Sequence, residues 1–177
     1  MNYNKIFTQD FVNGTGVGVS LFVQGCRRAH EGHPCPGCFN EATWNPACGT
    51  PYTHEVQEKI LELLKPEHIS HFSILGGEPL DTPNIATLSN LCHQVKLKYP
   101  EKKIWLWTGF TFENLWEKWG MDGRSTMMDI LLSKVDVLVD GPYVQELKYS
   151  AGPWVGSGNQ RVLNCKQSMN EHRAVLL

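Results

Sequence analysis

Nowhere in these 177 residues does an apolar run approach the ~18 residues of a membrane-spanning helix. The opening, MNYNKIFTQDF, lacks the apolar core of about 7–15 residues that marks a secretory leader. Charge of one sign is missing too: 16 basic against 18 acidic side chains give a formal net charge of -2. Without a basic excess, no nucleic-acid surface is indicated. No repeat, low-complexity tract or linker-like stretch interrupts the chain. Its length suits one hydrophobic core and falls short of two ordinary domains. The expectation is a single domain, 1–177, of a cytoplasmic protein with neither membrane nor nucleic acid as partner. In that compartment thiols stay reduced, so the six cysteines point to metal or redox chemistry rather than to disulfides.

What the sequence has is an alternation of strand and helix patterns. VGVSLFV (17–23) places Val17, Val19, Leu21 and Val23 on one face and predicts a strand. ISHFSIL (69–75), KIWLWT (103–108) and VDVLVD (135–140) predict three more. Thr53 caps a predicted helix to about Lys65, with Val56, Ile60, Leu63 and Leu64 as its apolar stripe. Thr82-Pro83 opens a second, which buries Ile85, Leu88, Leu91, Cys92 and Val95. Further helices are predicted from about Thr111, burying Phe112, Leu115 and Trp116, and near 125–133, burying Met128, Leu131 and Leu132. The tail, PWVGSGNQRVL, reads as loop and then briefly extended. Such alternation predicts parallel βαβ units in an α/β fold, with the site at the carboxyl ends of the strands. Those ends carry the cysteine loop, GGEP, TGF and DGPY.

The cysteine loop, QGCRRAHEGHPCPGCFN (24–40), spaces Cys26, Cys35 and Cys38 as C-x8-C-x2-C. Thiolates two residues apart in a turn can grip one metal centre, and soft sulfur ligands select zinc or an iron–sulfur cluster. Structural zinc requires four protein ligands, whereas a four-iron cluster on three cysteines keeps one iron free. Cys48, His30 or His33 could complete a zinc site, so the loop alone leaves both readings open, the zinc one being a zinc-stabilised binding module. In ILGGEPL (74–80), glycines at a strand end let a ligand approach the backbone, although a tight strand-to-helix turn needs them equally. NGTGVG (13–18) precedes its strand rather than following it, which excludes a dinucleotide loop. Trp105, Trp107, Trp116 and Trp119 read as packing residues, and Cys92 as an inert buried thiol.

Taken together, the segments NYNKIFTQDFVNGTGVGVSLFVQGC, CPGCFNEATW, SILGGEPL, IWLWTGF, VDVLVDGPYVQELK and WVGSGNQRVL resemble the radical S-adenosylmethionine (SAM) superfamily. Within it they are most similar to the activases of anaerobic ribonucleoside-triphosphate reductase. The resemblance implies an incomplete (β/α) barrel of parallel strands and a [4Fe-4S] cluster on Cys26, Cys35 and Cys38. It implies SAM beside Gly76, Gly77 and Glu78 at its methionine end, and beside Gly37, Cys38 and Phe39 at its adenosyl part. Reductive cleavage of SAM would give a 5′-deoxyadenosyl radical that takes hydrogen from a glycine of the reductase large subunit. The electron would come from a flavodoxin-like donor. Another glycyl-radical enzyme or a small molecule is the alternative target. One departure stands out: the family usually spaces these cysteines C-x3-C-x2-C, and here 27–34 makes the first gap eight residues long.

Overall fold

The computed structural model describes residues 1–119 and 127–177, and side chains throughout these except at 118 and 119. Among the described residues seven strands form one sheet: β1 (Asn2–Asp10), β2 (Val17–Val23), β3 (Thr50–Pro51), β4 (Ile69–Gly76), β5 (Lys103–Trp107), β6 (Val137–Asp140) and β7 (Arg161–Asn164). The order across the sheet is β3-β1-β2-β4-β5-β6-β7, and its two edges do not join. β2, β4, β5 and β6 run parallel, as the alternating pattern predicts. The expected all-parallel arrangement fails at both edges, where β1 pairs antiparallel with β2 and β3, and β7 antiparallel with β6.

The helices are α1 (Arg27–His30), α2 (His54–Leu64), α3 (Thr82–Lys98), α4 (Phe112–Trp119), α5 (Met127–Leu132) and α6 (Cys165–Glu171). Thr53 caps α2 as expected, its hydroxyl accepting the Val56 N–H. The start of the helix predicted over 125–133 lies outside the described residues, as does the side chain of Trp119. Among the described residues, no helix is long and apolar enough to cross a membrane.

Because strand side chains alternate, the sheet has two distinct faces. Val19, Leu21, Val23, Phe72, Ile74, Ile104, Leu106 and Leu138 belong to one. They pack with Ile60, Leu61 and Leu64 of α2, Leu88, Leu91 and Val95 of α3, and Leu131 and Leu132 of α5. On the other face the paired positions are Gly18 and His71, Ser20 and Ser73, Ser73 and Trp105, and Trp105 and Val137. Here Trp105, Val137 and Val139 form a second small cluster with Trp107, Trp154, Val155 and Val162. Trp154 and Val155, from the segment before β7, pack on this face. Segment 11–16 is tied to β4 by the Ser73 hydroxyl donating to the Asn13 carbonyl and by the Ser70 hydroxyl donating to the Thr15 carbonyl. Glycine is required beneath it, since a Cβ on Gly18 would lie 2.0 Å from the His71 ring.

Candidate metal and cofactor site

A pocket of about 500 Å³ opens at the carboxyl ends of the parallel strands. Cys26, Cys35 and Cys38 line it together with Phe39, Gly76, Gly77 and Glu78. Gly37 does not line it; the Gln145 side chain lies against that glycine instead. TGF and DGPY arrive as expected, through Thr108, Gly109, Gly141 and Tyr143.

Two strand-end loops interlock to form this wall. After β2 the Gly25 N–H donates to the Thr43 carbonyl at 2.8 Å, and the Cys26 N–H to the Trp44 carbonyl at 3.0 Å. The Gly25 carbonyl then accepts the Glu78 N–H at 2.7 Å. Gly77 sits so close that a Cβ would lie 2.1 Å from the Gly25 oxygen. The glycine pair of GGEP is therefore needed for backbone approach between the two loops, whatever else it binds.

The eight-residue gap is not an open loop. It begins as α1, with the His30 N–H bonded to the Cys26 carbonyl. Asp81, the N-cap residue of α3, leaves its own helix uncapped by its side chain and accepts the Arg27 N–H at 2.6 Å. The chain turns back at Gly32 (φ 83°) and reaches Cys35, from which a tight turn through Gly37 (φ 67°) returns the Cys38 N–H to the Cys35 carbonyl. The Asn40 N–H points at Cys38 Sγ, 3.4 Å away. His30 and His33 are exposed, and His30 lines a separate cavity of about 250 Å³ beside Asp81.

Burial pushes the Cys26 thiol up to about 11, with the Glu78 and Asp81 carboxylates adding to the effect. A bound cation reverses such a shift, because a coordinating thiol is deprotonated. Glu78 is buried, which raises it to about 7. Its Oε1 accepts from the Leu80 N–H at 3.0 Å and the Thr108 hydroxyl at 2.8 Å, and its Oε2 from the Gly109 N–H at 2.8 Å. Its carboxylate thus ties the end of β4 to the end of β5 at the pocket wall.

All six cysteines are free thiols. Cys92 is buried in the main core as expected, and Cys165, to which the sequence assigns nothing, is buried with its thiol directed at the Leu132 carbonyl. Cys48 is exposed and absent from the pocket wall. Among the described residues, no three His, Cys, Asp or Glu side chains are gathered closely enough to hold a metal ion. A tetrahedral zinc needs four ligands, each about 2.0–2.3 Å from one ion, and Cys48 stands apart from the pocket wall that carries the other three cysteines. A four-iron cluster spreads its thiolates over separate irons, and three thiols opening on one roomy pocket fit that donor pattern.

Sequence reasoning did not find Val12, Asn13, Trp154 or Gln160, which also line the pocket. The first three carry no chemical signal by residue type, and Gln160 lies in WVGSGNQ, whose role residue chemistry could not supply. Asp140 turns away from the site: fully buried, it pairs with Arg161 and accepts the Phe112 N–H.

A family model described as a 4Fe-4S single cluster domain matches residues 12–163. Three curated relatives are each named anaerobic ribonucleoside-triphosphate reductase-activating protein. That of Vibrio cholerae is 38% identical over 162 residues, covering 90% of this chain and 96% of its own. That of Enterobacteria phage T4 is 37% identical over 172 residues, covering 97% and 99%. That of Escherichia coli K12 is 35% identical over 164 residues, covering 92% and 97%. Similarity of this extent, spanning the cysteine loop, the GGEP turn and the clustered strand ends alike, shows that the chain belongs to the family of anaerobic ribonucleoside-triphosphate reductase-activating proteins.

Proposed function

We propose that the chain is a radical SAM activase of one domain, 1–177, whose open sheet is an incomplete (β/α) barrel and whose target is anaerobic ribonucleoside-triphosphate reductase. The observation that carries this reading is the opening of three thiols and the GGEP turn on one pocket. Cys26, Cys35 and Cys38 would hold a [4Fe-4S] cluster through three of its irons. When bound, the cluster and SAM supply one-electron cleavage of a carbon–sulfur bond, yielding methionine and a 5′-deoxyadenosyl radical that takes a hydrogen atom from a reductase glycine. Gly76 and Gly77 would present backbone groups to the methionine end of SAM, with Glu78 holding their turn against β5. Phe39, packed edge-on against Tyr143 at 5.0 Å, would flank the adenosyl part with Gly37 and Cys38. Trp107 and Trp154 line the same pocket and would help keep water from a reactive radical. A flavodoxin-like reductant in the cytoplasm completes the reading.

Iron, sulfide and zinc analysis of protein prepared without oxygen tests this directly. About four irons per chain are expected, on the composition of a single cluster. Cys35→Ala should lose the cluster's characteristic absorbance while its far-ultraviolet circular dichroism is unchanged. One tightly held zinc and no iron would instead establish the zinc module.

A further inference from the structure

Between β6 and β7 the chain leaves the pocket and comes back to it. This excursion, 141–160, contributes Gly141, Tyr143, Trp154, Gly156 and Gln160 to the pocket wall. Two adjacent amide side chains close its neck. Gln160 donates through Nε2 to the Gly141 carbonyl at 2.8 Å, and its Oε1 accepts the N–H groups of Gly156 at 2.8 Å and Ser157 at 3.3 Å. Asn159 donates through Nδ2 to the Pro142 carbonyl at 2.8 Å, and its Oδ1 accepts the Ser157 hydroxyl at 2.7 Å. That hydroxyl, on a fully buried serine, also accepts the Val144 N–H at 3.1 Å. Start and end of the excursion are thus joined by groups that donate and accept at once. Each carboxamide offers a donor and an acceptor on one rigid plane.

The closed excursion presses on the second half of the cysteine loop. A Cβ on Gly37 would stand 2.3 Å from Gln145 Oε1, so the Gln145 amide fills the space that glycine leaves. The Tyr143 ring meets the Phe39 ring edge-on at 5.0 Å. A Cβ on Gly156 would stand 2.9 Å from Phe39 Cζ. Three residues of the excursion therefore bear on the two residues that flank Cys38 in sequence.

We propose that Gln160 and Asn159 are positioning residues of the site. By clasping the excursion they seat Tyr143, Gln145 and Gly156 against Gly37 and Phe39, and so set where Cys38 and the adjoining cofactor face stand in the pocket. This inference rests on the cluster reading above.

The test uses anaerobically reconstituted protein carrying Gln160→Ala, Gln160→Glu or Gly156→Ala. Gln160→Glu keeps the acceptor and loses the donor to the Gly141 carbonyl. Gly156→Ala leaves both amides in place and forces its Cβ and the Phe39 ring apart, opening that contact from its other side. Electron paramagnetic resonance of the reduced cluster is recorded with and without SAM, and SAM affinity is taken from the titrated spectral change. The variants are expected to hold the parent's iron, to show an altered cluster spectrum and to bind SAM about tenfold more weakly, one decade in Kd, because the cofactor face is displaced. A lower melting temperature with spectrum and affinity unchanged would make the clasp structural only and overturn the proposal. Should Gln160→Ala not fold, Gly156→Ala decides by the same readings. A parent protein that gives no cluster signal, or no response to SAM, overturns the cluster reading instead, and is recognised because the failure is then not confined to the variants.

Discussion

Glu78 shows how much one buried carboxyl can reveal about the site. Burial raises it from 4.5 to about 7 despite three donors to its oxygens. Between those values the folded protein keeps a proton that the unfolded chain releases, so its stabilising contribution is full below pH 4.5 and is lost as pH rises to about 7. Glu78→Gln, neutral and of the same shape, removes that dependence. The urea midpoint of the cofactor-free variant should therefore gain on the parent's as pH rises through this window, and parallel curves would exclude the assignment. Residues like this were legible in the sequence because their chemistry is carried by type: three spaced cysteines, two strand-end glycines and a carboxylate. The reason for Gly77 was not legible, because the contact that demands it, the Gly25 carbonyl, lies in a distant loop.

At the scale of elements, the eight-residue gap gains a structural account. Asp81 holds the first N–H of α1, and with it the path away from Cys26. Asp81→Ala should free the segment at a cost of about 1–2 kcal/mol, the usual worth of a capping carboxylate. Hydrogen exchange at 27–33 should quicken in the variant, while exchange in α3 stays slow; unchanged protection at 27–33 would refute the role. α1 was not legible, for RRAH buries nothing and carries no apolar period. β1 was missed for a similar reason. Its sequence, NYNKIFTQD, is mostly polar and only Asp10 of it is buried, and two irregularities in its pairing with β2 break the alternation. α6, CKQSMNE, is short and buries only Cys165 and Ser168. β2, β4, β5 and β6 were plain because each buries an apolar face against helices.

Across the whole molecule, the parallel centre and its converging strand ends could be read from alternation alone, and they define the pocket. The antiparallel edges and the loop segments tied to the sheet could not, since they depend on partners far along the chain. Trp154 shows this best: its indole N–H donates to the Gly14 carbonyl at 3.0 Å, and its own carbonyl accepts the Trp107 indole N–H at 2.8 Å. One side chain thus joins the segment after β1 to the excursion before β7 over the pocket. Trp154→Phe removes the first bond and should cost about 1 kcal/mol, or roughly 2–4 °C in melting temperature for a protein of this size. Limited proteolysis should then cut first within 11–16; protection equal to the parent's would show that the latch is not needed.

The central claim is that three thiols and a glycine-rich strand end bring cluster, SAM and a reductase glycine to one pocket. Its most direct test is to reduce the reconstituted protein with SAM and anaerobic ribonucleoside-triphosphate reductase in the absence of oxygen. 5′-Deoxyadenosine is then measured together with the paramagnetic resonance of the reductase. The account predicts 5′-deoxyadenosine, methionine and a glycyl-radical signal from the parent, and none of them from Cys35→Ala. Fully iron-loaded parent protein that leaves SAM intact would contradict it.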